Sequence, residues 1–312
     1  MNLQHSLGDG PRFPYLSPQQ QDFHICAEAA LLRQHGMRMD DGAEVMVYEA
    51  GRPDQPLLVL INPVGISCLF MARIARAFSA HYHVLTWESR GLPDYTGGGA
   101  DSWPLERHAR DLAAILDLRQ RTPEAIISYC SGANIAVLGL ASGILRARRL
   151  CMVSPSLQLP GAGRKTTYQR AVLPLWLKIA QDGMRMAALV RTLLVQSEKE
   201  YANAEDRELA AINNLPFQSN ETTFRYACMH APCLQLDSAA LLARIAIPVL
   251  VAHDPVDDMV HADSAEAVAA ALPNARLAWL DDGGHFAIYK SATLRAGIQA
   301  FLQEVPAADT GT

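Results

Sequence analysis

The chain has 312 residues, of which 50% are apolar and 19% charged, and its 27 Lys and Arg against 32 Asp and Glu give a formal net charge of −5. That balance excludes a disordered chain and lacks the basic excess that phosphate backbones require, so nucleic acid is not an expected partner. Apolar runs such as Leu57 to Ile61 fall far short of the about 18 residues that cross a bilayer. The opening Met1-Asn2-Leu3-Gln4-His5 carries no basic-then-apolar leader, so a cytoplasmic protein with no membrane span is expected.

Residues 1 to about 25 hold Gly8, Gly10, Pro11, Pro14 and Pro18 among polar residues and read as an extended arm with little regular structure. Two alternating segments, around 32–39 and 44–50, then flank Asp40-Asp41-Gly42, a hairpin signal. The run 57–61 is apolar on both faces, as a buried strand of a parallel sheet requires. Similar runs at 83–87, 125–129, 150–153, 249–252 and 275–280 alternate with amphipathic stretches near 66–80, 105–120, 131–146, 262–272 and 290–303. This alternation predicts an α/β fold: one mostly parallel sheet, helices on both faces, and active residues at the carboxyl ends of the strands.

Between Val153 and Ile247 no buried-strand run occurs, but helical patterns recur around 166–180, 183–199, 203–213 and 221–230. An interval of that length exceeds an ordinary loop. It predicts a helical cap at 155–246 that interrupts a core formed by 26–154 and 247–312, with a frayed tail at 307–312.

Six cysteines stand at 26, 68, 130, 151, 228 and 233, with no CxxC pair and no zinc-ligand spacing. In a reducing compartment they are expected as free thiols, so a chemical role for any one must come from its local context. The segment 125–136, AIISYCSGANIA, supplies such a context. A β-branched strand runs straight into a small-residue turn and then a helix, the place where a nucleophile is held on a strained elbow with small residues two before and two after it. With Cys130 at the apex those neighbours are Ser128 and Gly132; with Ser131 they would be Tyr129 and Ala133, and the tyrosine would collide.

On these residues the sequence resembles the α/β-hydrolase fold superfamily from about residue 30 to 303, with cysteine where most members carry serine. The resemblance demands an acid and then a histidine downstream. His253-Asp254-Pro255-Val256-Asp257-Asp258-Met259-Val260 looks like the family's acid turn and puts the acid at Asp257, with Asp258 as the alternative and Asp254 where a glycine is usual. Gly283-Gly284-His285-Phe286 is similar to the family's histidine loop. An isolated cysteine, or a histidine after two glycines, is ordinary core or loop. Three matches in the required order, each after a strand, point instead to a Cys130-His285-Asp257 triad.

The resemblance further implies an oxyanion hole of two backbone N–H groups, one from Ser131 and one from the turn Asn62-Pro63-Val64-Gly65. Pro63 has no N–H, which leaves Val64. Glu88 and Arg90, in a segment like the family's Asp-x-Arg-Gly turn, are expected to brace neighbouring loops or, alternatively, to touch substrate. His253 and His261 read as structural, and Tyr168, Leu173, Trp176 and Met184 as packing residues of the cap, a subset of which forms an acyl pocket.

No metal or organic cofactor is called for, since neither a ligand cluster nor a phosphate-cradling loop is visible. A thiolate exchanges readily with thioesters and keeps the acyl group activated for onward transfer. By resemblance to cysteine-elbow thioesterases and acyltransferases of polyketide and nonribosomal peptide assembly lines, the expected substrate is an acyl thioester on a carrier protein or coenzyme A. A small-ester or lactone hydrolase, as in dienelactone hydrolases, is the first alternative, and a non-catalytic receptor or scaffold on the same fold the second.

Overall fold

The computed structural model describes residues 4–5, 13–92, 103–161, 163–194 and 203–304; the predicted frayed tail lies outside them, as does most of the first twelve residues. Nine strands among them form one sheet: β1 (Gln4–His5), β2 (Arg33–Arg38), β3 (Glu44–Ala50), β4 (Leu57–Ile61), β5 (His83–Trp87), β6 (Ala125–Tyr129), β7 (Leu150–Val153), β8 (Val249–His253) and β9 (Ala275–Trp279). Their order is β1-β2-β3-β5-β4-β6-β7-β8-β9, antiparallel from β1 through β3 to β5 and parallel from there on. Every residue of β4, β5, β6, β7 and β8 is buried, which is why these segments read as largely apolar runs, with His83, Thr86, Ser128 and His253 as the exceptions.

Helices cover both faces. Leu105–Asp117, Gly132–Ala141 and Ala262–Ala271 pack on one side, where Leu112, Ile115, Ala136 and Val268 meet Val59, Ile61 and Ile126. On the other, Ala72–Phe78 and Ala292–Gln303 set Ile74 and Ile298 against Leu58, Leu60 and Ile127. The chain leaves β4 toward β5 on one side and returns to β6 on the other, so the strand order reverses between β4 and β6. In open α/β sheets the ligand crevice lies at such a reversal, outside the carboxyl ends of the two strands.

The predicted helical interval holds Thr167–Ala171, Leu173–Asp182, Met184–Leu194, Ala204–Asn213 and Asn220–Gln235, together with Ser238–Leu242, which packs against the core helices Gly132–Ala141 and Ala262–Ala271. The stretch expected as one helix at 166–180 breaks at Val172 because Pro174, lacking an N–H, suits the first turn of a new helix. Trp176 is the aromatic centre of this layer, stacked on Phe217 at 5.9 Å and edge-on to Tyr226 at 5.0 Å.

The arm differs from expectation within the described residues. Phe13, Tyr15 and Leu16 are buried, and Phe13 stacks on Tyr48 at 5.5 Å. Ser17 and Gln20 then close a reciprocal capping box over Pro18–Gln21. Pro and Gly content outweighed this local signal in the sequence.

Glu88 and Arg90 are both committed to protein partners. Glu88 accepts the Tyr15 hydroxyl and the Cys68 N–H at 3.0 Å. The fully buried Arg90 guanidinium forks onto Asp111, with Nε–Oδ2 at 2.6 Å and Nη2–Oδ1 at 2.8 Å, and reaches Asp41 of the hairpin turn at 3.1 Å. Arg90→Met leaves the buried Asp111 only the longer ion pair with Arg107, at 3.4 Å, and is expected to cost about 3–5 kcal/mol in urea unfolding. The exposed Arg52–Asp54 pair is the control, with a cost for Arg52→Ala below about 1 kcal/mol. Equal costs at the two sites would contradict the bracing role.

Candidate active site

Cys130 follows β6 with φ +49°, a left-handed conformation that side chains other than glycine rarely adopt. Three hydrogen bonds hold it there: its N–H donates to Val153 O at 3.0 Å, and its carbonyl accepts from Ala133 N at 3.2 Å and Ser156 N at 3.1 Å. Ser131, the other candidate for the apex, has ordinary right-handed geometry at φ −66° and caps the helix Gly132–Ala141. The strain therefore falls on the residue that the small-x-Cys-x-small register selects. Gly132 is required by close approach, since a Cβ there would lie 2.5 Å from Asn62 O and 2.7 Å from Ile61 O.

His285 lies on the short turn Gly284–Phe286 after β9, with Nδ1 at 2.9 and 3.0 Å from the two carboxylate oxygens of Asp257. Its imidazole also faces the Cys130 thiol across the cavity that both residues line. Burial alone would push His285 down, but the facing Asp257 and Cys130 outweigh it and hold the imidazole well above the usual histidine range. Burial likewise pushes Asp257 up, yet His285 and the N–H groups of Met259 and Val260, both 2.8 Å from Oδ1, hold it below the usual carboxylate range. The neighbouring Asp258 is exposed to solvent.

Two residues that the sequence did not mark as positioning groups fix the histidine loop. Asp254, in the position where the family motif has glycine, accepts the Gly284 N–H at 2.8 Å. Tyr129 donates its hydroxyl to the His285 carbonyl at 2.8 Å. His253 is buried edge-on to Trp279, and His261 caps the helix Ala262–Ala271 by accepting the Asp263 N–H at 3.1 Å. Both keep the structural parts expected of them.

The turn after β4 lies beside the elbow, in the crevice between the two strand ends. The Gly65 N–H donates to Ser89 Oγ at 3.0 Å. The Val64 N–H, expected as an oxyanion donor, donates to Ser131 Oγ at 3.1 Å. The Val64 carbonyl accepts from Nε2 of His230, a residue of the helix Asn220–Gln235, at 3.1 Å. Burial pushes His230 down to about 4, so the ring is neutral at pH 7. Nothing in the sequence distinguishes this histidine from a packing residue.

In front of Cys130 is a cavity of about 30 Å³, lined among others by Phe70, Ser131, Tyr168, Tyr226, His230 and His285. That is room for about two waters. No Asp, Glu, Lys or Arg stands among its described lining residues. Of the cap residues singled out in the sequence, Tyr168 and Leu173 line the cavity, Trp176 packs behind it and Met184 is exposed. Burial raises the other five thiols, Cys26 and Cys228 to about 11 and Cys68, Cys151 and Cys233 further.

The fold is shared with many solved structures. A lipase described as putative, from Acinetobacter baumannii AYE, superposes with a TM-score of 0.69 at 19% identity, covering 94% of this chain and 97% of that one. The enol-lactonase from Burkholderia xenovorans LB400 superposes with a TM-score of 0.67 at 21% identity, covering 86% and 100%. Among curated proteins, "Putative carbamate hydrolase RutD" of Stutzerimonas stutzeri (strain A1501) is 24% identical over 233 residues, 75% of this chain and 86% of its own. The L-allo-isoleucyltransferase of Pseudomonas savastanoi pv. glycinea is 25% identical over 236 residues, 73% of this chain and 79% of its own. The model of the alpha/beta hydrolase family matches residues 58–295, more than half of the chain, which therefore belongs to that family of enzymes.

Proposed function

We propose that this enzyme is a thioesterase or acyltransferase in which Cys130, His285 and Asp257 accept a short acyl group from a carrier-protein or coenzyme A thioester and pass it to water or another nucleophile. The observation that carries this reading is the Cys130 thiol at a strained strand-to-helix apex, facing across one cavity a histidine that is itself bonded to a buried carboxylate. The similarity to a protein named as an aminoacyl transferase supports transfer chemistry. The narrow cavity, with no Asp, Glu, Lys or Arg among its described lining residues, supports a short acyl group.

The Cys130 thiolate attacks the acyl carbon; the new S–C bond forms as the carbonyl becomes an oxyanion facing the Ser131 and Val64 N–H groups. Collapse breaks the bond to the donor sulfur, which leaves as a thiol with the proton held on His285. The acceptor then gives its proton to His285, attacks the acyl-cysteine and expels the thiolate. Asp257 fixes the tautomer by accepting Nδ1–H and stabilises the imidazolium while it exists. The same residues serve hydrolysis of small esters or lactones, a second reading favoured by the likeness to the RutD proteins and the fold of the enol-lactonase.

Cys130→Ala is expected to lower cleavage of an acetyl thioester by about 10³-fold or more; full turnover in this variant contradicts the assignment. Wild type should prefer acetyl over decanoyl thioester, and thioester over the matching oxygen ester, in kcat/KM. A preference for the oxygen ester would favour the second reading. The raised His285 implies an imidazolium that persists to higher pH than that of an ordinary histidine. Asp257→Asn removes a group that raises His285, so an NMR titration of the His285 ring should move to lower pH. An unchanged titration would contradict the role of Asp257.

A further inference from the structure

We propose that the Ser131 hydroxyl is a third oxyanion donor, and that His230 of the cap positions it by anchoring Val64. The inference rests on the reading of Cys130 as nucleophile. The Val64 N–H is already engaged, 3.1 Å from Ser131 Oγ, so an oxyanion arriving there meets the hydroxyl as well as the amide. As an acceptor from Val64, Ser131 Oγ keeps its own proton to give, and among the described residues no protein group takes it. Ser131 also lines the cavity directly beside Cys130. The hydroxyl is thus aimed by the amide on one side and open to the reacting carbonyl on the other.

His230 makes this arrangement depend on the cap. Its Nε2–H donates to the Val64 carbonyl at 3.1 Å, and its ring is held against Tyr226 with centroids 4.1 Å apart. The helix that carries both approaches the turn closely because Gly65 has no side chain; a Cβ there would lie 2.6 Å from Met229 and 2.9 Å from Tyr226. Val64 is therefore gripped at both of its polar atoms, by the cap through its carbonyl and by the elbow through its N–H. In the step itself the S–C bond forms, the carbonyl pair moves onto oxygen, and the Ser131 hydroxyl donates a hydrogen bond to that oxygen without transferring its proton.

Acetylation by p-nitrophenyl acetate, followed by stopped flow, creates an oxyanion, whereas alkylation by iodoacetamide uses the same thiolate without one. Ser131→Ala is expected to slow acetylation about 10²-fold with alkylation unchanged. His230→Phe should slow acetylation about tenfold, again with alkylation unchanged, and His230→Gln, which can still donate to the Val64 carbonyl, should recover most of the rate. A Ser131→Ala enzyme acetylated as fast as wild type or faster would show that the hydroxyl only fills the site, and would overturn the proposal alone. Parallel losses in acetylation and alkylation would assign both residues a structural part and overturn it too. Absence of Cys130 acetylation in wild type would overturn the nucleophile reading together with this one.

Discussion

The φ of +49° at Cys130 is the constraint around which the site is assembled. A non-glycine residue in that region costs about 1–3 kcal/mol and persists only where its surroundings over-determine it. Here three backbone hydrogen bonds and a glycine that lets the helix Gly132–Ala141 start against the end of β4 do so. The same geometry lifts the thiol out of the sheet into the crevice where the strand order reverses. It brings the Ser131 N–H and hydroxyl to the Val64 turn, and sets the thiol against His285.

Burial is the second determinant. His285 and Asp257 are both withdrawn from water, and the Coulomb attraction between imidazolium and carboxylate is correspondingly stronger. Desolvation opposes each charge singly, but the facing partners reverse its direction for both His285 and Asp257. The five other cysteines are raised, first by burial and, at Cys26 and Cys68, also by nearby carboxylates. A cysteine in this setting suits exchange between thioesters, in which the bond broken and the bond made are alike.

The strands were legible because β4 to β8 are buried on both faces, which leaves a run of apolar residues that no surface helix needs. Cys130, Asp257 and His285 were legible because each lies in a short segment at a strand end whose neighbours are dictated locally: Gly132 by the approach to Asn62, Asp257 by the Met259 and Val260 N–H groups its carboxylate accepts, His285 by the glycines before it. His230 was not, since its meaning arises from a contact with Val64, 166 residues away, while its own helix shows only cap-like packing. The parts of Asp254 and Tyr129 likewise arise from distant contacts, with the Gly284 N–H and the His285 carbonyl, that neither residue's own segment encodes. The buried 13–16 segment was masked by the prolines and glycines around it.

Cys130 as the nucleophile is tested by intact-mass analysis of the enzyme trapped during turnover of a short acyl thioester, followed by peptide mapping of the modified site. One acyl group per chain is expected, on Cys130, and lost when a thiol or amine acceptor is added. An acyl group on Ser131 or Ser128, or turnover with no acyl-enzyme and no dependence on Cys130, would contradict it.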